Sequence, residues 1–105
     1  MIYELRIYHM HPGKMDGINA RFGNHTLKLF KNHDIKVVDF WLDATGAEKL
    51  YYICEFPDQA TKEAAWVTFG ADPEWKRVYE ESHKDGPIVE RVESFLMTRA
   101  PYFPQ

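Results

Sequence analysis

The 105-residue chain is 45% hydrophobic and carries seven Phe, six Tyr and three Trp, enough for one domain with a real core and too little for two. Its net charge of −3, without a basic run, excludes an electrostatic nucleic-acid footprint, and no apolar stretch approaches the roughly 20 residues that cross a bilayer. Cys54 stands alone, so no internal disulfide forms, and Met1-Ile2-Tyr3-Glu4 moves straight into patterned sequence; a cytoplasmic location is the expectation.

Ile2 to Met10 has period two, with Tyr3, Leu5, Ile7 and His9 on one face and Glu4, Arg6, Tyr8 and Met10 on the other, which predicts a strand. Pro12-Gly13 ends it. Met15, Ile18, Phe22 and Leu29 then form a stripe at helical spacing, predicting a helix that runs to about His33. Ile35 to Ala44 and Lys49 to Phe56 are dense in β-branched and aromatic residues and flank Thr45-Gly46-Ala47-Glu48, which predicts a β-hairpin. Asp58 is a predicted N-cap for a second helix with Ala60, Ala64 and Val67 on its inner side. That helix stops near Gly70, and Asp72-Pro73-Glu74 restarts one with Trp75, Val78, Tyr79 and Ser82 facing inward. Gly86-Pro87 ends it, and Ile88 to Arg99 alternates as a final strand.

The order is βαββαβ, with a break in the second helical region. Two βαβ halves around a hairpin specify an α+β, ferredoxin-like fold: a four-stranded antiparallel sheet with helices on one face. The other face is expected to carry Tyr8, Trp41 and Phe95 beside Glu4, Arg6, Asp39, Arg91 and Glu93. Large rings among paired charges suit a second sheet, so the expectation is a homodimer in which two sheets form a barrel.

Tyr3-Glu4-Leu5-Arg6-Ile7-Tyr8, Pro12-Gly13-Lys14, Phe40-Trp41 before a hairpin glycine, and Asp72-Pro73-Glu74-Trp75 lie in order along nearly the whole chain. In this arrangement the sequence resembles the NIPSNAP family of dimeric α/β-barrel proteins, with Cys54 and Lys62 standing where tryptophan and arginine are frequent in that family. The resemblance implies the fold, the dimer and a neighbourhood of barrels that includes cofactor-independent monooxygenases, haem-degrading enzymes and small polyketide cyclases. Related cyclase-type barrels place a histidine in a His-Pro-x-His segment, and Asp72-Pro73-Glu74-Trp75 lacks it.

His25 follows Phe22 by three and precedes Leu29 by four, which places it on the buried stripe as either a hydrogen-bonded structural group or an acid/base in a ligand cleft. His33 falls at the helix end, where a cation complements the dipole, and His83 reads as exposed. His9-x-His11 has two imidazoles on one side of a strand but no third ligand nearby, so no metal site is assigned. Arg6 and Tyr8 read either as an anchor for an anionic or carbonyl oxygen or as part of an interior ion-pair network with Glu4, Asp39, Arg91 or Glu93. Trp66, Phe69, Trp75 and Tyr79 read as core or as the lining of an apolar pocket for a flat molecule. Cys54, mid-strand, reads as a small buried hydrophobe. The sequence holds no glycine-rich phosphate loop, Gly-x-Ser-x-Gly elbow, Cys-x-x-Cys or His-Glu-x-x-His, and nothing in it requires a cofactor.

The expectation is thus a homodimeric barrel that binds a small apolar or aromatic molecule between helices and sheet. As an enzyme it would use cofactor-independent monooxygenase- or cyclase-like chemistry, with His25 as acid/base and Tyr8 or Arg6 orienting an oxygen. The alternatives are a non-enzymatic interaction protein with the cleft packed shut, or a haem binder with a cleft histidine as axial ligand.

Overall fold

The computed structural model describes residues 1–104. In chain order the elements are β1 (Ile2–Met10), α1 (Met15–Arg21), a π-helical turn (Phe22–Thr26), α2 (Leu27–Asn32), β2 (Lys36–Leu42), β3 (Lys49–Phe56), α3 (Gln59–Ala71), α4 (Pro73–Ser82) and β4 (Val89–Met97). The sheet is antiparallel with order β2-β3-β1-β4, and the helices pack on one face, as the ferredoxin-like pattern requires. Local signals place the ends. Asp58 accepts from the Thr61 amide at 2.7 Å to start α3, and Asp72 accepts from the Glu74 amide at 2.8 Å ahead of Pro73 to start α4. Gly46, at φ +87°, turns the hairpin between β2 and β3.

Residues that pair across an antiparallel ladder share a face, so register decides what each face carries. Glu4 lies opposite Cys54 and Leu96, Arg6 opposite Tyr52 and Ser94, and Tyr8 opposite Leu50 and Val92. Leu50, Tyr52, Cys54 and Phe56 are fully buried under the helices, so Glu4, Arg6 and Tyr8 face the helices too. The expectation that they lie on the open face is overturned. Tyr8 is a core residue, with its ring 5.6 Å from Phe22 and 5.5 Å from Tyr52. The open face carries Tyr3, Leu5, Ile7, Tyr51 and Ile53 together with the expected Trp41 and Phe95, and with Asp39, Arg91 and Glu93. Arg6 and Glu4 therefore cannot form an ion-pair network with Asp39, Arg91 or Glu93, which project from the opposite side of the sheet.

The first helical region is continuous but not uniformly α-helical. The turn at Phe22–Thr26 holds one extra residue, and Thr26 Oγ1 donates to the Arg21 carbonyl at 3.2 Å within it. Beyond the turn the buried stripe is shifted by one position. Ile18, Phe22, Thr26, Leu29 and Phe30 are buried, whereas His25 is exposed. The expected place of His25 on the stripe is thus corrected: an α-helical count of three from Phe22 reaches it, but the π turn carries the inward direction on to Thr26.

In α3 the inner side is Ala65 and Phe69, with Trp66 half-buried, and the expected stripe of Ala60, Ala64 and Val67 faces outward. Two large rings gain more from burial than two alanines and a valine, and they set the rotation of the helix. The core is built around Phe30, whose ring lies 6.0 Å from Phe22, 5.9 Å from Tyr52, 5.4 Å from Trp66 and 5.0 Å from Phe69. The helices leave the inward row of β4 uncovered, with Val92 and Leu96 exposed on either side of Ser94. Phe30→Ala should lower the unfolding free energy by about 3–5 kcal/mol in urea titrations, whereas Leu27→Ala, on the outer side of the shifted stripe, should cost under about 1 kcal/mol. Equal losses would contradict the register set by the π turn.

Candidate functional site

The strand row under the helices is polar where an apolar row would be ordinary, and it is polar around one carboxylate. Glu4 is 2% exposed; its Oε1 accepts from Trp66 Nε1 of α3 at 2.7 Å, and its Oε2 accepts from Ser94 Oγ of β4 at 2.6 Å and from Arg6 Nη1 at 3.1 Å. Burial favours the neutral acid, but the hydrogen bonds from Ser94 and Trp66 and the charge of Arg6 outweigh it and hold the carboxyl below its usual range. Glu4 is ionised at neutral pH.

Arg6 continues the network. Its Nε donates to Tyr52 Oη at 2.8 Å and its Nη2 to Tyr8 Oη at 3.4 Å, and the two phenols share a hydrogen bond of 2.8 Å. The indole of Trp66 lies under the guanidinium at 4.4 Å. Burial opposes the charge, yet Tyr52, Tyr8 and Glu4 raise the guanidinium above its ordinary value, while burial drives the Tyr52 phenol well above its own. Every partner in this cluster is matched, and the expected ion-pair network exists with Glu4 alone among the acids named for it.

A second buried cation is different. Arg21, at the end of α1, is 6% exposed and stacks on Trp75 at 5.2 Å and Tyr79 at 5.7 Å. Its Nη1 donates to Ser82 Oγ at 3.2 Å, and its buried Nε has no hydrogen-bond partner. Among the described residues no carboxylate pairs with it. Burial pulls its pKa down, with only Tyr8, Tyr79 and Tyr52 working against the fall. An unpaired buried donor costs on the order of 1–3 kcal/mol, and more when it is charged. Arg21 lines an open groove of about 230 Å³ between α1 and α4, with Gly17, Ala20, Val78 and Ile88 as its small and apolar lining and Asn24, His25, Glu81 and Ser82 as its polar lining.

The predicted site residues therefore separate. Arg6, Tyr8 and Trp66 form the matched cluster, and Phe69 joins it to Trp75 and Tyr79 through ring contacts of 6.0, 4.7 and 5.7 Å. Trp75 and Tyr79 hold Arg21, and His25 stands on the groove. His33 Nε2 pairs with Asp72 Oδ2 at 2.6 Å, clasping the end of α2 to the start of α4. His83, expected to be exposed, is half-buried: its ring stacks 4.0 Å from Tyr79 and its Nδ1 meets the Tyr79 carbonyl at 2.7 Å. His9 meets Glu93 at 2.5 Å on the open face, and among the described residues no three His, Cys, Asp or Glu gather as metal ligands. Cys54 is fully buried, and burial pushes its thiol up to about 12, which makes it a poor nucleophile. Sequence reasoning missed Arg21 and Ser82. The signal was present: an arginine three residues after Ile18, on the apolar stripe itself.

Glu4→Gln should destabilise the fold by about 3 kcal/mol at neutral pH, because it leaves the buried Arg6 charge without its carboxylate. The sign of the pH effect follows from the depressed folded value. The Glu4 contribution is complete above the ordinary value of 4.5 and is lost as pH falls through the lower folded value. Chemical denaturation from about pH 3 to about pH 7 should therefore show a shallower acid loss for Glu4→Gln than for the unaltered chain.

The chain matches the NIPSNAP family profile over residues 3–104. Among solved structures, an uncharacterised NIPSNAP domain protein from Burkholderia xenovorans superposes with a TM-score of 0.84 at 20% identity, covering 100% of both chains. The Agrobacterium tumefaciens protein Atu4242 superposes at 0.86 with 21% identity, over 99% of this chain and 98% of that one. An antibiotic biosynthesis monooxygenase superposes at 0.65 with 16% identity, over 96% and 100%, and at that identity the likeness is one of fold. No curated protein shows significant sequence similarity to the chain. The profile match across nearly every residue, on a fold shared with NIPSNAP structures, means that this chain belongs to the NIPSNAP family.

Proposed function

We propose that the protein is a homodimer whose two sheets pack through their open faces, and that each protomer binds a small organic molecule in the groove between α1 and α4. The dimer is supported by the face assignment. On β1 the row under the helices, Glu4, Arg6 and Tyr8, is polar and satisfied, while the face left open carries Tyr3, Leu5, Ile7, Tyr51, Ile53, Trp41 and Phe95. Trp41 is 43% exposed and Phe95 46% exposed in the single chain. A sheet face with this many uncovered rings and aliphatic side chains among paired charges is the signature of a protein partner, and a second copy offers a complementary surface by symmetry. Glu93, between His9 and Arg91 at 2.5 and 3.2 Å, already has its charge balanced on that face, so bringing a second sheet over it exacts less desolvation penalty than a lone carboxylate would.

The observation that carries the ligand reading is the groove itself. Gly17 and Ala20 keep its wall low, Val78 and Ile88 make part of it apolar, and Arg21 and Ser82 supply convergent polar groups, which is the composition of a small-molecule site. A larger groove of about 500 Å³ along Leu27, Lys31 and Val37 follows the β2 edge, but its polar lining is wholly exposed. If the groove supports chemistry, His25 is the imidazole placed to move a proton there, in keeping with an antibiotic biosynthesis monooxygenase among the fold's neighbours.

Light scattering coupled to size exclusion should return twice the 12.4 kDa chain mass, and Phe95→Glu should return the monomer mass with secondary structure retained. A monomer for the unaltered chain at micromolar concentration overturns the dimer. An NMR fragment screen should produce shifts that cluster on Gly17, Asn24, His25, Val78 and Ile88. Hits confined to the β2 edge overturn the groove.

A further inference from the structure

We infer that the ligand of the α1–α4 groove carries an anionic oxygen, a carboxylate on a small apolar body, and that Arg21 is the group that binds it. The inference rests on the groove being a ligand site and adds its chemistry. Three observations lead to it independently of the ligand's identity.

First, Arg21 is a cation without a counter-ion. It is 6% exposed, no acid of the described residues lies within ion-pair distance, and its Nε–H is buried with no acceptor. The chain solves the same problem differently at Arg6, where Glu4, Tyr52 and Tyr8 take the guanidinium's hydrogens. Second, the neighbouring acid is already engaged. Glu81 borders the groove but accepts from Arg77 Nη1 at 2.8 Å, while Glu74 holds the opposite edge of Arg77, so neither turns toward Arg21. Third, the guanidinium is held. Trp75 and Tyr79 lie against it at 5.2 and 5.7 Å, and Ser82 Oγ, itself donating to the Tyr79 carbonyl at 2.8 Å, fixes Nη1. A guanidinium locked in place on the groove wall with no carboxylate beside it is pre-organised for an anionic oxygen entering the groove.

The size of the space sets the rest of the molecule. About 230 Å³, bounded by Gly17, Ala20, Val78 and Ile88, takes a single ring or a short branched chain rather than a nucleotide. One arginine without a second cation beside it suits a monoanion better than a phosphate. Asn24 and His25 also line the groove and offer hydrogen-bonding groups to polar atoms elsewhere on such a molecule.

The test uses benzoate and its uncharged analogue benzamide, titrated into the full chain while following backbone amides and the Arg21 Nε–H resonance. Benzoate should bind in the millimolar range expected for about nine heavy atoms, shift the Arg21 Nε–H signal together with Gly17 and Asn24, and bind at least about tenfold more tightly than benzamide. Arg21→Met, which keeps the stem against Trp75 and Tyr79 and removes the fork, should abolish benzoate binding. Benzamide binding as tightly as benzoate, or benzoate binding Arg21→Met unchanged, overturns the anion while leaving the groove as a ligand site. The absence of any benzoate-induced shift in the groove at about 10 mM overturns both. Should Arg21→Met fail to fold, the wild-type comparison of the two probes and the Nε–H signal decide the matter alone.

Discussion

The carboxylate of Glu4 is the constraint on which the rest of this structure depends. It is buried on the central strand β1, and it receives hydrogen bonds from α3 through Trp66, from the edge strand β4 through Ser94, and from Arg6 on its own strand. Through Arg6 the network reaches Tyr52 on β3 and Tyr8. A buried charge is tolerated only when its partners are all in place, so the position of α3 over the sheet and the docking of β4 are tied to one another through a single group. Trp66 serves twice, donating to Glu4 and lying against the guanidinium of Arg6 at 4.4 Å. The charge of Arg6 and that of Glu4 thus stabilise each other in a place that neither would occupy alone.

Putting the polar row inside has a consequence for the outside. Alternation means that when Glu4, Arg6 and Tyr8 face the helices, Tyr3, Leu5 and Ile7 must face away, whatever their preference for burial. A one-residue change of register would exchange the two rows, and with it the chemistry of both faces. On β1 the apolar row Tyr3, Leu5 and Ile7 is therefore outward because the polar row is inward. The same reasoning explains how a short chain accommodates so many rings. Phe22, Phe30, Tyr52, Phe69 and Tyr8 fill the space between sheet and helices, and Trp41 and Phe95 remain on the side where the single chain has no second layer.

The π turn does for the helical layer what register does for the sheet. One additional residue between Phe22 and Leu27 moves the inward direction from His25 to Thr26, and it closes locally through the bond from Thr26 Oγ1 to the Arg21 carbonyl. It begins immediately after Arg21, so the arginine that ends the regular part of α1 projects onto α4, between Trp75 and Tyr79, instead of toward water. Two clusters result under the same helices: one whose charges are complete, around Glu4 and Arg6, and one with a cation that the protein leaves open, around Arg21. Phe69 and its ring neighbours connect them as a rigid apolar partition.

Periodicity and capping chemistry were enough to establish the elements. The strand at Ile2–Met10, the hairpin, the Asp58 and Asp72 caps and the βαββαβ order follow from alternation, from side chains that bond their own neighbouring amides and from the missing amide hydrogen of Pro73, all local effects that the sequence itself contains. What it could not determine was direction: which face of β1 the helices cover, which way α3 rotates, and where the helical count slips by a residue. Those choices are made by contacts between residues far apart in the chain, such as Trp66 with Glu4 and Ser94 with Glu4, whose free energy exists only once the layers meet. The candidate site inherits that division. Trp75 lies on the expected inward stripe, whereas Tyr79, expected beside it, stays 47% exposed; the spacing of Arg21 from Ile18 places it on the apolar stripe of α1, but only the tertiary fold decides that it is buried against these rings with no acid beside it.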